Sequence, residues 1–578
     1  MVMLRWLRGP QSLVWSSLLL TGLGPWSTAA AAPAYEVWAS DQSNSRAGVE
    51  APGILGSWLW IWRNTDIEDQ LKTGRSARPL ACDGSNQTSS GPCDLLEVFP
   101  PELAEVDAQG KRTGTTLAEA PAFGRLHGML ADPQNRYMNA NIFAPKGGYV
   151  GIIDGETKEA VALFRVAGTS SGRSVHMSFW NADGSALLVA NLHGKVLHRI
   201  DLTRDKTGSI TDAVFNQEAS LGVGKDLKVS DPPTVYLGKN AQGRSMVGRI
   251  LASSSQQGFS DLTPSGSCKE NGCQANSDGK DGGRPKNLII CPIVSQSNKA
   301  YITLAAGGLL VADTTKTPME IVGEYGQNVI NGAGCGGVQT GRRMWLNSGV
   351  SASPAGKDQS TFTLYTLDDR AFTRSSQSLL QPKPKVIYRD PGNTSTIGQL
   401  VGVENNQTGQ RPGVTTRRDS HGMAATIDDT YVHTVDRLRN NVEVIDVRSG
   451  KRHTYDLTSK NGQGLGLGPC ANASVKDDQN LPINDPAPDL IEATPDGRFL
   501  MVALRGPVPV SVNHSAQGSC PGVGVIELLD GGRSGRLVGV LRTTNRVDTS
   551  SGKAPGGHTY RGQERSDVHG AAVRTVSP

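Results

Sequence analysis

The stretch Ser420–Leu457 reads SHGMAATIDDTYVHTVDRLRNNVEVIDVRSGKRHTYDL. Apolar and polar residues alternate in YVHTV and VEVIDV, the two-residue period of a strand whose faces meet different surroundings. Between these runs stand DD, RNN and RSG, residues that accept tight turns. The stretch therefore predicts four short antiparallel strands in one meander. The same order returns at Ser174–Leu202, with NADG as its first turn, and at Leu126–Val166, which ends GGYVGIIDGETKEAVALFRV. It returns again at Asp489–Arg542, as DLIEATPDGRFLMVALRG and, past an insertion, GVGVIELLDGGRSGRLVGVLR. Leu288–Tyr325 and Gly334–Tyr388 follow it more loosely.

A four-strand unit recurring at roughly 40–50 residues predicts a β-propeller. The chain ends fit one another. DVHGAAVR at the C-terminus is an opening strand with no continuation, whereas YEVWASDQSNS and GSWLWIWRNTDI near the N-terminus are middle strands with no opening strand. Joining them completes a seventh unit and removes an exposed sheet edge. The expectation is an all-β, seven-bladed propeller over residues 33–578, with both termini sharing one blade and insertions near 64–120, 205–285 and 458–488. Composition agrees: 69 glycines and 32 prolines in 578 residues, with 19% charged, argue against a helical bundle or coiled coil. A net charge of +4 without a basic block gives no electrostatic footprint for nucleic acid.

Residues 1–32 carry the grammar of a secretory signal peptide: Arg5 and Arg8, an apolar run from Ser12 to Leu23, then Ala29–Ala32. The apolar run is too short to span a bilayer. The expected location is thus secreted or periplasmic, with no membrane span. In such a compartment the eight cysteines should pair. Proximity suggests Cys82–Cys93, Cys268–Cys273 and Cys470–Cys520, leaving Cys291 and Cys335 as either a bridge between adjacent blades or free ligands.

The histidines are not scattered. Seven residues before each unit's first turn stand His127, His176, His421 and Asp489. Cys291 and Cys335 hold about the same offset, and His569 opens the last strand in a DVHG context beside DSHG. The first strand of each propeller blade lines the central channel, so these positions form a ring. Four of the chain's ten histidines belong to it. His127, His176, His421 and His569 are the candidate metal ligands, with Asp489 orienting one of them. Met129 and Met423, two residues after a histidine in His-Gly-Met triplets, could offer thioethers on the same face. Imidazole with soft sulfur favours copper, then zinc, over magnesium or calcium. The glycine after each histidine would let a ligand approach the backbone. The competing reading gives these histidines hydrogen bonds to neighbouring blades and makes the methionines core filler.

The "…DG-apolar strand…-IDxxTG" grammar resembles YVTN-type propellers. Leu126–Val166 also resembles one blade of the selenium-binding protein/methanethiol oxidase family. The shared features are a His-bearing strand leading to Gly147-Gly148-Tyr149-Val150 and then Asp154-Gly155-Glu156-Thr157. That resemblance implies a propeller and, if it extends to chemistry, an oxidase acting on a small sulfur-containing substrate. The family's Cys-rich N-terminal motif has no counterpart in this chain.

The markers Walker A, HExxH and CxxCH are absent from the sequence. Asn276–Gly283 lacks the ordered spacing of a calcium loop. Arg125, Arg173, Arg417 and Arg418, just upstream of ring positions, could draw anions to the channel mouth or simply be solvated. Two functions are expected from these observations. One is a copper-dependent oxidase with its His site at the channel and a small-molecule ligand. The other is a non-catalytic propeller that binds a protein or glycan, with structural histidines.

Overall fold

The computed structural model describes residues 33–46, 55–120, 123–144, 147–167, 175–222, 232–252, 288–349 apart from 306, 327, 328, 331 and 333, then 362–372, 382–390, 418–459, 468–476, 482–508, 518–548 and 564–576, with two short strands at 552–553 and 559–560. Among them lie seven sheets of four or more strands in a β-propeller arrangement. We number these sheets 1–7 around the ring. The opening strands of sheets 2–7 are Leu126–Gly128, Val175–Trp180, Ile289–Val294, Gly337–Thr340, Ser420–Ala425 and Pro488–Ala493. Sheet 1 opens with the C-terminal strand Val568–Thr575, which pairs antiparallel with Tyr35–Asp41 from the N-terminus. The termini therefore share one sheet and close the ring.

Sheet 6 shows why these residues make these strands. The three turns expected at DD, RNN and RSG place Asp429 at φ 58°, Asn440 at φ 58° and Gly450 at φ 72°. These are the residue types that tolerate the left-handed conformation a tight reversal requires. Between the turns, alternate side chains face opposite neighbours. Val442 and Val444 pack with Leu500 and Val502 of sheet 7, whereas Val432 and Ile445 pack with Trp345 and Leu364 of sheet 5. Both faces of the sheet are thus buried, and alternation sorts residues between two apolar interfaces rather than between core and water.

From sheet 5 through sheets 6, 7, 1, 2 and 3 to sheet 4, successive opening strands pack against one another around the axis, and sheets 4 and 5 are joined there by the Cys291–Cys335 disulfide. In sheets 2, 3, 4, 6 and 7 the pairing of the opening strand shifts register around the ring position, between Leu126 and Gly128, Val175 and Ser178, Ile289 and Pro292, Ser420 and Met423, and Pro488 and Ile491. Such bulges re-aim side chains and locally interrupt pairing. They sit at the level of the channel where the polar side chains converge.

Cys82–Cys93, Cys291–Cys335 and Cys470–Cys520 are all bonded. Cys291–Cys335 is therefore the bridge between adjacent sheets and not a pair of free thiols. The expected signal peptide over residues 1–32 and the expected Cys268–Cys273 pair lie outside the described residues. Two insertion boundaries move. Ile210–Gly222 is the fourth strand of sheet 3, so the inserted chain begins after it and not at 205. Within 64–120, Cys93–Asp94 is the outer strand of sheet 1, and Ala104–Val106 and Arg112–Thr116 extend sheet 2 through Thr234–Leu237. The insertions are thus partly absorbed into the sheets, where they cover outer edges. Among the described residues no helix is long and apolar enough to cross a membrane.

Candidate metal centre at the propeller hub

Every ring position read from the sequence lies on or beside an opening strand, and all seven side chains are buried. Asp489 of sheet 7 stands between His421 of sheet 6 and His569 of sheet 1. One carboxylate oxygen, Oδ1, is 3.0 Å from His421 Nε2, and Oδ2 is 3.9 Å from His569 Nε2. The ligand atoms of His421, Asp489 and His569 all lie within 4.8 Å of one another. His127 of sheet 2 stacks on His569 with ring centroids 3.8 Å apart, and His176 of sheet 3 meets the edge of His127 at 4.5 Å. His421 and His569 are 5.8 Å apart. The four histidines therefore form a chain of neighbours, and the three-residue cluster contains two of them.

A frame of buried ion pairs holds this arrangement. Arg505 Nη1 donates to Asp489 Oδ2 at 2.8 Å, and its other nitrogens grip Asp567 at 2.7 Å each. Arg437 lies 3.5 Å from Asp489 Oδ2 and 2.6 Å from Asp419. Two guanidiniums thus face three carboxylates in a layer shut off from water.

Hydrogen bonds fix the imidazole tautomers. His569 Nδ1 lies 2.7 Å from the carbonyl oxygen of His127, which only accepts, so Nδ1 carries the proton. Gln42 directs its amide nitrogen at Asp567 Oδ2, 3.3 Å away, so its oxygen faces His127 Nδ1 at 2.8 Å and that nitrogen also carries the proton. Burial, with the neighbouring imidazoles, holds His127 well below the usual histidine range. Burial also holds His569 well below it, against the pull of Asp489, and pushes His176 down to about 3. His127 and His569 are thus neutral, and each presents an Nε2 lone pair. His127 Nε2 has no hydrogen-bond partner among the described residues. Burial pushes the Asp489 carboxyl up, but His421 and Arg437 outweigh it and hold the group well below the usual carboxylate range. The hub therefore offers the neutral imidazoles of His127 and His569 and the ionised carboxylate of Asp489, the forms in which these groups bind metals.

Beyond the hub the channel widens into a cavity of about 400 Å³. Met129, Met177, Met423 and the Cys291–Cys335 bridge line it, together with Glu492. Met129 and Met423 thus face the cavity. Glu492 accepts a 2.8 Å hydrogen bond from the Val573 amide, and burial in the cavity wall pushes its carboxyl up to about 7.

Three sequence-based expectations need correction. The glycine after each histidine makes room for protein, not for a ligand. A Cβ on Gly422 would stand 2.2 Å from the Asp489 carbonyl oxygen, and one on Gly128 would stand 2.5 Å from the Met177 sulfur. Arg418 is not solvated at the mouth. It is buried against Asp436, Glu443 and Asp390 at 2.6, 2.6 and 3.1 Å. Arg125 is buried as well, and Arg173 and Arg417, like Asn276–Gly283, lie outside the described residues. Sequence reasoning missed Arg437, Arg505, Gln42, Asp419, Asp567 and Glu492. The repeated Asp-x-His-Gly at 419–422 and 567–570 was the available signal for the two aspartates.

No family model and no curated protein sequence matches the chain. Among solved structures, it is similar to a putative 6-phosphogluconolactonase from Bacteroides uniformis, at 11% identity over 87% of this chain and 94% of that one, with a TM-score of 0.41. It is also similar to the periplasmic gluconolactonase of Pseudomonas aeruginosa, at 9% identity over 88% and 98% of the two chains, with a TM-score of 0.39. A protein from Lactobacillus plantarum aligns at 8% identity over 94% and 100%, with a TM-score of 0.40. These likenesses are too remote to carry any chemistry to this chain.

Proposed function

We propose that the seven sheets are the blades of one seven-bladed ring, exported to an oxidising compartment after removal of residues 1–32, whose hub binds a transition-metal ion. Three disulfides agree with that compartment. His421, Asp489 and His569 would hold the ion, with His127 beside them. One observation carries the reading. A neutral His569 whose Nδ1 proton is committed to a carbonyl aims its Nε2 lone pair at the Asp489 carboxylate, 3.9 Å away. Two electron-pair donors facing each other in a buried site are complementary to a cation. Imidazole and carboxylate donors suit copper or zinc. The ion would supply Lewis-acid polarisation or, for copper, redox chemistry to a small substrate in the adjoining cavity. Arg505 and Arg437 orient Asp489, Gln42 orients His127, and the His127 carbonyl orients His569.

A second, non-catalytic reading is favoured by Arg505, whose 2.8 Å contact already occupies Asp489 Oδ2. In it the hub is a structural ion-pair layer, and the propeller binds a protein or glycan. Metal analysis of untagged exported protein separates the two. Near-stoichiometric copper or zinc, lost from a folded His421→Ala/His569→Ala variant, supports the metal centre. Protein that takes up neither ion on reconstitution overturns it.

A further inference from the structure

Sheets 3, 4 and 5 bring together His176, Cys291 and Cys335. One imidazole nitrogen and the two sulfurs lie within 4.8 Å of one another, all buried. Cys291 Sγ is 3.8 Å from His176 Nδ1. In a tetrahedral site with Zn–S near 2.3 Å and Zn–N near 2.0 Å, bound sulfur and nitrogen stand roughly 3.5 Å apart. The existing separation is close to that edge. The two sulfurs are at present bonded to each other, which denies both to a metal, since the thiolate is the ligand. Both cysteines also line the cavity, giving a small reductant a route to the bridge.

We propose that Cys291, Cys335 and His176 form a redox-gated site for a soft metal ion, closed as the disulfide and opened by a small thiol reductant entering the cavity. With a thiol, RSH, the balance is complete. A thiolate attacks one sulfur, the Cys291–Cys335 bond breaks, and a second thiol resolves the mixed disulfide. Two protein thiols and one RSSR result. A divalent ion then binds both sulfurs and His176 and releases the two thiol protons. Three protein ligands leave a fourth position open toward the cavity, the pattern of a reactive rather than a purely structural site. The His176 ring also makes a hydrogen bond to the backbone at Ile290. This site shares no donor with the His421–Asp489–His569 cluster and stands or falls independently of it.

The test compares disulfide-intact protein with protein reduced anaerobically by a phosphine, each titrated with Co²⁺ alone. Reduced protein should take up one further equivalent with thiolate-to-cobalt charge-transfer absorption, and Cys291→Ser/Cys335→Ser should lose both. An ion at the hub has no sulfur ligand and would lack that absorption, so failure of one site is distinguishable from failure of the other. A second measurement needs no variant. Peptide-level mass spectrometry of reduced wild-type protein, alkylated with and without Zn²⁺, should show Cys291 and Cys335 protected while Cys82 and Cys93 are not. Equal alkylation of Cys291 and Cys335 in both samples, or identical Co²⁺ uptake before and after reduction, overturns the proposal.

Discussion

Asp489→Asn preserves side-chain size and removes the charge on which the hub converges. The carboxylate meets Arg505 at 2.8 Å, Arg437 at 3.5 Å and His421 at 3.0 Å, all out of contact with water. Breaking a buried ion pair and stranding its partner costs about 3–5 kcal/mol. The guanidiniums are not fully stranded here, because Arg505 keeps both oxygens of Asp567 at 2.7 Å and Arg437 keeps Asp419 at 2.6 Å. The expected loss is therefore about 2–3 kcal/mol, below that range. The assay is equilibrium urea unfolding with disulfides intact, at several pH values. Asp489 titrates well below its unfolded value of 3.8, so its contribution is fully present above that value and fades only as pH falls through the folded pKa. The gap between wild type and variant should be constant from about pH 5 to 8 and shrink in acid. A gap under about 1 kcal/mol at neutral pH, or one that widens in acid, refutes the assignment of Asp489 as the shared ionised acceptor.

Glu492 is held protonated up to about pH 7 by burial. A raised carboxyl pKa means the folded state binds the extra proton, so stability falls as pH rises from about 4.5 through 7. Glu492→Gln should flatten that part of the unfolding profile, and identical slopes in both proteins would remove Glu492 as the titrating group. Asp485 is pushed well above its usual range by burial, with one oxygen bonded to Asn440 and the other without a partner among the described residues. Asp485→Asn should therefore stabilise the protein increasingly between pH 5 and 8, and a loss of stability at pH 8 would contradict this. Gly422→Ala places a methyl 2.2 Å from the Asp489 carbonyl oxygen. A cost of about 1–3 kcal/mol in urea is expected, and an unchanged midpoint would show that the two strands separate freely.

Much of this was legible in the sequence because it repeats. The turns at DD, RNN and RSG needed left-handed residues, and Asp429, Asn440 and Gly450 supplied them. The hub residues held one offset from those turns, so their convergence could be read without coordinates. The partners of the hub could not. Arg437 and Arg505 sit just past second strands, where a lone arginine looks like any loop charge. Only the fold shows that Arg505 reaches Asp567, 62 positions away in sequence, on another sheet. Arg418 was misjudged for the same reason: sequence displays charge but not burial. The glycines were assigned to a ligand because spacing reveals a missing side chain and not what fills its place.

The hub is also asymmetric. Sheets 6 and 1 each carry Asp-x-His-Gly, and sheet 7 between them carries Asp489, so one carboxylate offers an oxygen to a histidine on either side. His127 continues from His569, and His176 from His127, toward the sulfurs of sheets 4 and 5. The donors thus grade from ionised carboxylate, through neutral imidazole, to sulfur within one layer. A strictly repeated sequence would place identical groups at every blade and make a symmetric ring. Divergence at this single register, with the turns and interfaces kept, concentrates charge on one side and soft donors on the other. That division separates the hub's two candidate centres by chemistry as well as by position: removing the Asp489 charge should disturb the carboxylate–imidazole side, and reducing the disulfide the sulfur side.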